Sequence, residues 1–249
     1  VKFLLTNILI FLIAFIGCKA QKISVSPKNT YSIIEEVPSP SIVHGAGFAR
    51  LSNFNPERSF EEAKLNAVID LEASILTSVY LEYYGTNEQS RLNAEFSISD
   101  TIISSEVAII DSVIVGDWAV YFIRDINDST NFPSQIIDKA LTTKWRDELY
   151  EPINIEGFWI SSGMNTETPF NPGRGWTLAK QNALQNLSEY LNTKVQSLEK
   201  TFDNNLSSVH YVTSKHVFNH IGVLSRQITD NTYFVLVIVN EENIIRIDG

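Results

Sequence analysis

A stretch of 18 residues occurs twice in this chain, 116 residues apart, and that recurrence narrows the possible folds more than any other feature. Phe54-Asn55-Pro56-Glu57-Arg58-Ser59-Phe60 returns as Phe170-Asn171-Pro172-Gly173-Arg174-Gly175-Trp176. The match continues without a gap through Ala63-Lys64 and Ala179-Lys180, Asn66-Ala67 and Asn182-Ala183, to Leu71 and Leu187. Nine of the 18 positions are identical, where ordinary composition gives roughly one by chance. A duplicated unit has to find one fold that works twice, so each unit must be a complete supersecondary structure.

Each unit opens with a helix. Asn55 and Asn171 stand at N-cap positions, with Pro56 and Pro172 at the first helical residue, where proline's missing N–H costs nothing. Apolar residues then recur at helical spacing: Phe60, Ala63, Ala67, Leu71, Ile75 and Val79 in the first unit. In the second they are Trp176, Ala179, Ala183, Leu187, Leu191 and Val195. The paired alanines predict a close approach to whatever each helix covers. Ile42 to Phe48 and Ile155 to Ser161 read as the strand before each helix. After it come Ala94 to Ile98, Glu106 to Val115 and Trp118 to Arg124 in the first unit, and Ser208 to Thr213, Val217 to Gln227 and Thr232 to Asn240 in the second. Gly116-Asp117 and Asp230-Asn231 are turn residues before each last strand. The expectation is an α+β fold of two tandem repeats, each a long helix packed on a small antiparallel sheet in β-α-β-β-β order. The repeats occupy residues 42–126 and 155–249, joined by a connecting helical segment, 127–154, in which Phe132 to Glu151 keeps helical spacing.

The N-terminus has a different design. Lys2 precedes an apolar run from Phe3 to Ile16 broken only by Thr6 and Asn7, then Gly17 and Cys18, after which the chain turns polar at once. The run is shorter than the roughly 20 residues of a spanning helix and has the layout of an export signal. Cys18 is the sole cysteine of the 249 residues, so no internal disulfide is possible. Phe15-Ile16-Gly17-Cys18 resembles the lipobox of bacterial lipoproteins, although Phe15 stands where leucine is usual. The resemblance implies a signal peptide at residues 1–17, cleavage before Cys18, acylation of that residue, and a lipidated tether over residues 18–41. A diacylated residue holds a protein on a membrane where a single chain holds it only marginally.

A second resemblance rests on Gly157-Phe158, Ala179-Lys180-Gln181-Asn182-Ala183 and Tyr233-Phe234-Val235-Leu236-Val237. These segments behind a lipobox are similar to the LPP20-type bacterial lipoprotein domain. It implies a small cell-envelope module and supplies no catalytic residues to carry over. The polar stretch from Tyr83 to Thr101 departs from its pattern.

Candidate sites are sparse. His210, His216 and His220 share even parity and would line one face of an unbroken strand, the arrangement a metal needs. No Asp, Glu or Cys completes a ligand set, and turns between them favour a partly exposed strand face. Arg58 and Arg174 recur in the first helical turn, where a cation is electrostatically unfavourable; a ligand anion held with the free amides is one reading, and an ordinary ion pair or a side chain packed along the sheet edge is the favoured one. Lys64 with Asn66, and Lys180 with Asn182, flank the buried stripe in positions open to pairing across the units, although duplication alone explains their identity. His44-Gly45-Ala46-Gly47 lacks the third glycine of a dinucleotide turn and reads instead as close backbone packing. No G-x-S-x-G occurs. A net charge of −10 without a basic stripe disfavours nucleic acid. The expected protein is a non-catalytic envelope lipoprotein without a cofactor, exported and anchored in membrane lipid through acylated Cys18, in the outer membrane, and contacting other envelope proteins. The alternative is a small-ligand or metal-binding lipoprotein using the cleft between the repeats.

Overall fold

A computed structural model of the chain describes residues 37–85, 90–98, 107–143, 145, 151–166, 172–200 and 210–248. The signal segment and Cys18 lie outside the described residues, as do Phe170 and Asn171. The described residues form an α+β fold of three α-helices and three antiparallel sheets. Strand β1 (Gly45–Arg50) leads into helix α1 (Pro56–Ile75), followed by β2 (Leu76–Gly85), β3 (Ser90–Ile98), β4 (Val107–Val115) and β5 (Trp118–Asp125). Helix α2 (Ser134–Leu141) connects to β6 (Ile153–Ile155), β7 (Phe158–Asn165), helix α3 (Pro172–Lys200), β8 (His210–Asn219), β9 (Gly222–Thr229), β10 (Thr232–Asn240) and, after one 3-10 turn, β11 (Ile244–Asp248). The sheet orders are β1-β5-β4, β6-β7-β10-β9 and β11-β8-β2-β3.

Helix α1 begins as its sequence dictates. Pro56 occupies the first turn, and the Asn55 side chain accepts the Arg58 N–H at 3.1 Å. The helix then lies so close to β1 that only glycine fits beneath it. A Cβ on Gly47 would stand 1.9 Å from the Ala63 carbonyl oxygen and 2.2 Å from the Ala67 nitrogen. Helix α3 lies on β7 in the same way: a Cβ on Gly163 would stand 2.1 Å from the Ala179 carbonyl oxygen and 2.3 Å from the Ala183 nitrogen. This is the contact that the paired alanines and the G-x-G of β1 anticipated. Asparagines fasten it. Asn66 donates to the Phe48 carbonyl at 2.9 Å, and Asn182 donates to the Met164 carbonyl at 2.7 Å. The helices thereby satisfy backbone groups on strand edges that no neighbouring strand covers.

The structure departs from expectation at the end of α1 and in the strands that follow each long helix. The apolar spacing of Ile75 and Val79 predicts that α1 runs on, yet the helix stops at Ile75 and Leu76 is already extended. From there the period changes to two, with Thr77, Val79 and Leu81 buried. Strand β2 pairs with β8 over ten residues, from Leu76 with Asn219 to Gly85 with His210. The strands leaving α1 and α3 therefore abandon the meanders expected of them and build a third sheet together. That pairing satisfies a backbone ladder a longer helix would forfeit, and it overrides local periodicity. The break in the chain after α3 is also displaced. It falls at His220, whose φ of 51° turns the chain between β8 and β9, with Gly222 as the first residue of the new strand. The connecting helix is shorter than expected, since α2 ends at Leu141. No helix among the described residues is long and apolar enough to cross a membrane.

The glycine contacts yield a stability test. Gly47→Ala and Gly163→Ala push a side chain into helix backbone that cannot rotate aside, and each should cost about 3 kcal/mol in urea unfolding, the upper end for overpacking. Gly157→Ala, at a φ of 87° with open space around it, should cost about 1 kcal/mol through backbone strain alone. Equal losses at all three positions would contradict the close-approach account.

Candidate functional site

Charged and polar side chains converge where α1, α3, β1 and β9 meet. Asp70 projects from α1 toward the edge of β1, and its Oδ2 accepts the Ala46 N–H at 2.9 Å. Its Oδ1 pairs with the Lys180 ammonium of α3. Lys180 also donates to the Asp70 carbonyl at 3.2 Å and to Ser74 Oγ at 3.0 Å. Arg226 of β9 approaches from the other side, with Nη2 3.8 Å from Asp70 Oδ2 and its guanidinium carbon 5.9 Å from the Phe122 ring centre. Lys180 and Arg226 are 4 % and 3 % exposed, a depth at which lysine and arginine are rarely found unless paired.

Burial tends to raise the Asp70 pKa, but Lys180 and Arg226 outweigh it and hold the carboxyl below its ordinary range. Burial pushes the Arg226 guanidinium below its ordinary value, with Asp70 pulling the other way. His44, fully enclosed nearby, is lowered to about 3, chiefly by burial and then by Arg226, so it is neutral. Its Nδ1 lies 3.3 Å from the Ile42 carbonyl.

The cluster floors a recess between the helices. A small inner cavity is bordered by Asp70, Trp176, Thr177, Lys180 and Arg226. An outer cleft of about 340 Å3 runs between α1 and α3 past Asn66, Ile69, Ala73, Arg174, Thr177 and Gln181. Phe48 and Trp176 meet at the inner wall with ring centres 5.1 Å apart, and Tyr233 stands edge-on to Trp176 at 5.5 Å.

The residues singled out from sequence are scattered. Arg58 is exposed on the first turn of α1, whereas exposed Arg174 borders the cleft. The histidines divide. His216 is buried, 2.6 Å from Ser188 Oγ of α3 and stacked on Phe218. His220 sits at the β8–β9 turn, 3.4 Å from Asp128. The His210 side chain lies outside the described residues. Among the described residues no three metal-ligating side chains converge. Lys64 and Lys180, identical in the repeat, have different fates: Lys64 is exposed, and Lys180 crosses to Asp70. The pairing across halves is thus lysine to aspartate. Asp70 itself had one overlooked signal, since it precedes Leu71 on the buried stripe and replaces the amide of Asn186. Arg226 was hidden by a bulge. The register between β9 and β10 slips between Leu236 and Val237, so Val223 and Arg226, of opposite parity, face Val237 and Val235 on one side of the sheet. Comparison with protein-family models, with curated proteins and with solved structures finds no match.

Two measurements probe these groups. Asp70→Asn leaves two buried cations facing each other without a counter-charge and should cost about 3–5 kcal/mol, whereas Lys180→Met keeps the Asp70–Arg226 pair balanced and should cost less. The reverse order would refute the cluster's charge logic. The second measurement concerns pH. The Asp128 hydrogen bond raises the His220 pKa above 6.5, so its stabilisation is complete below pH 6.5 and fades as pH rises through the raised value. Burial opposes ionisation of Asp128, yet the His220 bond and Thr130 lower it to about 2, so its share fades only as pH falls from 3.8 toward 2. Thermal unfolding of His220→Asn should lose the parent's decline in stability on the alkaline side of pH 6.5, and an unchanged profile would remove His220 as its source.

Proposed function

We propose that this chain is a lipid-anchored protein of the bacterial cell envelope, a non-catalytic interaction or structural module hung from an acylated Cys18. The single observation that carries this reading is the order Lys2, apolar run, Gly17, Cys18, polar chain. A lone cysteine at that place has a chemical purpose that no disulfide supplies.

The folded part is proposed to be two copies of one helix-on-sheet unit. Support comes from contacts that recur at the 116-residue offset. Gly47 with Ala63 and Ala67 matches Gly163 with Ala179 and Ala183, and the Asn66–Phe48 bond matches Asn182–Met164. The sheet orders β1-β5-β4 and β7-β10-β9 also correspond. The likeness to the LPP20-type domain belongs to this reading. A structural role is favoured because the polar groups between the helices are largely engaged with one another: Lys180 is held by Asp70 and Ser74, and His44 is enclosed and neutral. Strands β3, β4, β9 and β11 are sheet edges on which other envelope proteins would dock. Outer-membrane residence is part of the proposal.

Mass spectrometry of protein made in a bacterial host should give a chain that begins at Cys18 and carries a diacylglyceryl group, with the protein recovered in membranes. Cys18→Ser should abolish incorporation of labelled fatty acid. A free thiol at Cys18, or cleavage at another bond, would defeat the proposal.

A further inference from the structure

Most of the sheet edges are closed or kinked. Strand β1 is fastened by Asn66 and Asp70 of α1, and β7 by β6 and by Asn182 and Asn186 of α3. The ladders that end at β4 and β9 slip register, between Ile109 and Asp111 and between Leu236 and Val237. Strand β11 is different. It pairs with β8 without a slip, from Ile244 with Phe218 to Asp248 with Ser214. Its other side meets no strand among the described residues.

The sheet that β11 closes has one face in the core, with Val79, Leu81 and Phe218 buried, and one face open. Two rows of residues cross the open face from β11 to β3: Ile245–Val217–Ser78–Ser97 and Ile247–Lys215–Tyr80–Glu95. At β3 both rows end in polar residues, as a solvated edge requires. At β11 both end in isoleucine, with Ile245 51 % and Ile247 45 % exposed. An apolar residue at the end of a row lacks a neighbour on one side, and an added strand supplies it.

The order of residues in β11 says which strand fits. Arg246 and Asp248 are two positions apart, so they share a strand face, and their charges are opposite. Lay a second β11 antiparallel to the first, with Ile247 on the two-fold axis. Arg246 of each copy then stands opposite position 248 of the other, an aspartate, and the two Ile247 residues oppose each other. Unlike charges directly opposed stabilise a strand pair, and like charges weaken it. Adjacent registers are poorer. With Arg246 on the axis, two guanidinium groups face each other. With Ile245 on the axis, Ile247 would oppose Asn243, which belongs to the 3-10 turn.

We propose that two copies of this chain pair antiparallel through β11 about Ile247, joining two four-stranded sheets into one of eight strands. The inference rests on the reading of this chain as an interaction module and names a second copy as the partner at one edge. Each favourable pair occurs twice across the axis. A five-residue strand covers little area, so the dimer forms reversibly.

The test uses the full-length chain with Cys18→Ser in nonionic detergent, so that an introduced cysteine is the sole thiol. Directly opposed strand residues have Cα atoms about 4.5–5.5 Å apart, within reach of a disulfide. Ile247→Cys should therefore give a disulfide-linked dimer on mild oxidation. Ile245→Cys should not, because in this register its two copies are offset by four residues, about 14 Å. Sedimentation of the chain without an added cysteine should show a concentration-dependent dimer. Arg246→Asp or Asp248→Arg should weaken it by about tenfold, and the two changes together should restore it. A chain that stays monomeric at every concentration overturns the proposal. So does equal crosslinking at positions 245 and 247, or a dimer unaffected by Arg246→Asp. If the charge variants fail to fold, the two cysteine variants decide alone. Acylated parent protein that is recovered in membranes yet never dimerises overturns this inference and leaves the lipid-anchor reading standing.

Discussion

Asp70 is the side chain on which the two halves of this molecule depend. Along α1 it stands where Asn186 stands along α3, and both reach the edge of the strand beneath. The amide of Asn186 donates to the Ser162 carbonyl at 2.9 Å, while the carboxylate of Asp70 accepts from the Ala46 N–H. The local task is the same, the edge of a strand closed by its own helix. The carboxylate, however, carries a charge that cannot be left alone in the interior. Its counter-charges come from Lys180 and Arg226, which belong to the other half of the chain. A first half standing alone would expose or strand that charge, so the ion cluster makes assembly of the halves a condition for folding either one well.

Positions 116 residues apart also differ in their surroundings. Lys64 and Lys180 are the same residue after the same Ala, yet Lys64 is in solvent and Lys180 is buried. Helix α3 has the more enclosed position, with Trp176 between Phe48 and Tyr233. Tyr233 lies so near Gly175 that a Cβ there would come within 2.6 Å of the ring. The counterparts in α1 are Ser59 and Phe60, and Phe60 leans on Tyr121 at 6.0 Å. The close helix-on-strand contact occurs in both halves, but the surroundings of the two helices differ, and α3 is the one whose lysine reaches across to the other half.

Local chemistry was legible in the amino-acid order and tertiary choice was not. The N-cap Asn55 and Pro56, the paired alanines, and the Gly116-Asp117 and Asp230-Asn231 turns act within a few residues, and all are found where the sequence puts them. The third sheet was invisible because Ile75 and Val79 suit a helix as well as they suit β2, and only the distant partner β8 decides between them. The turn at His220 uses a left-handed residue that is not glycine, and its flanking Asn219 and Gly222 lie inside a run whose apolar residues read as one strand. The candidate site was hidden for a related reason. Its acid comes from a helix, one cation from a second helix and the other from a bulged strand, and no spacing rule links positions 70, 180 and 226.

The protein's exterior and interior have opposite electrostatic characters. The chain carries ten negative charges in excess over its whole length, while the recess between α1 and α3 holds a surplus positive one. These do not simply cancel. Exposed charges more than about 8–10 Å away are largely screened at physiological salt, whereas a guanidinium 3 % exposed is screened far less. The attraction between Arg226 and Asp70 across 3.8 Å therefore persists over a range of ionic strength in which an exposed pair such as Lys139–Glu156 fades.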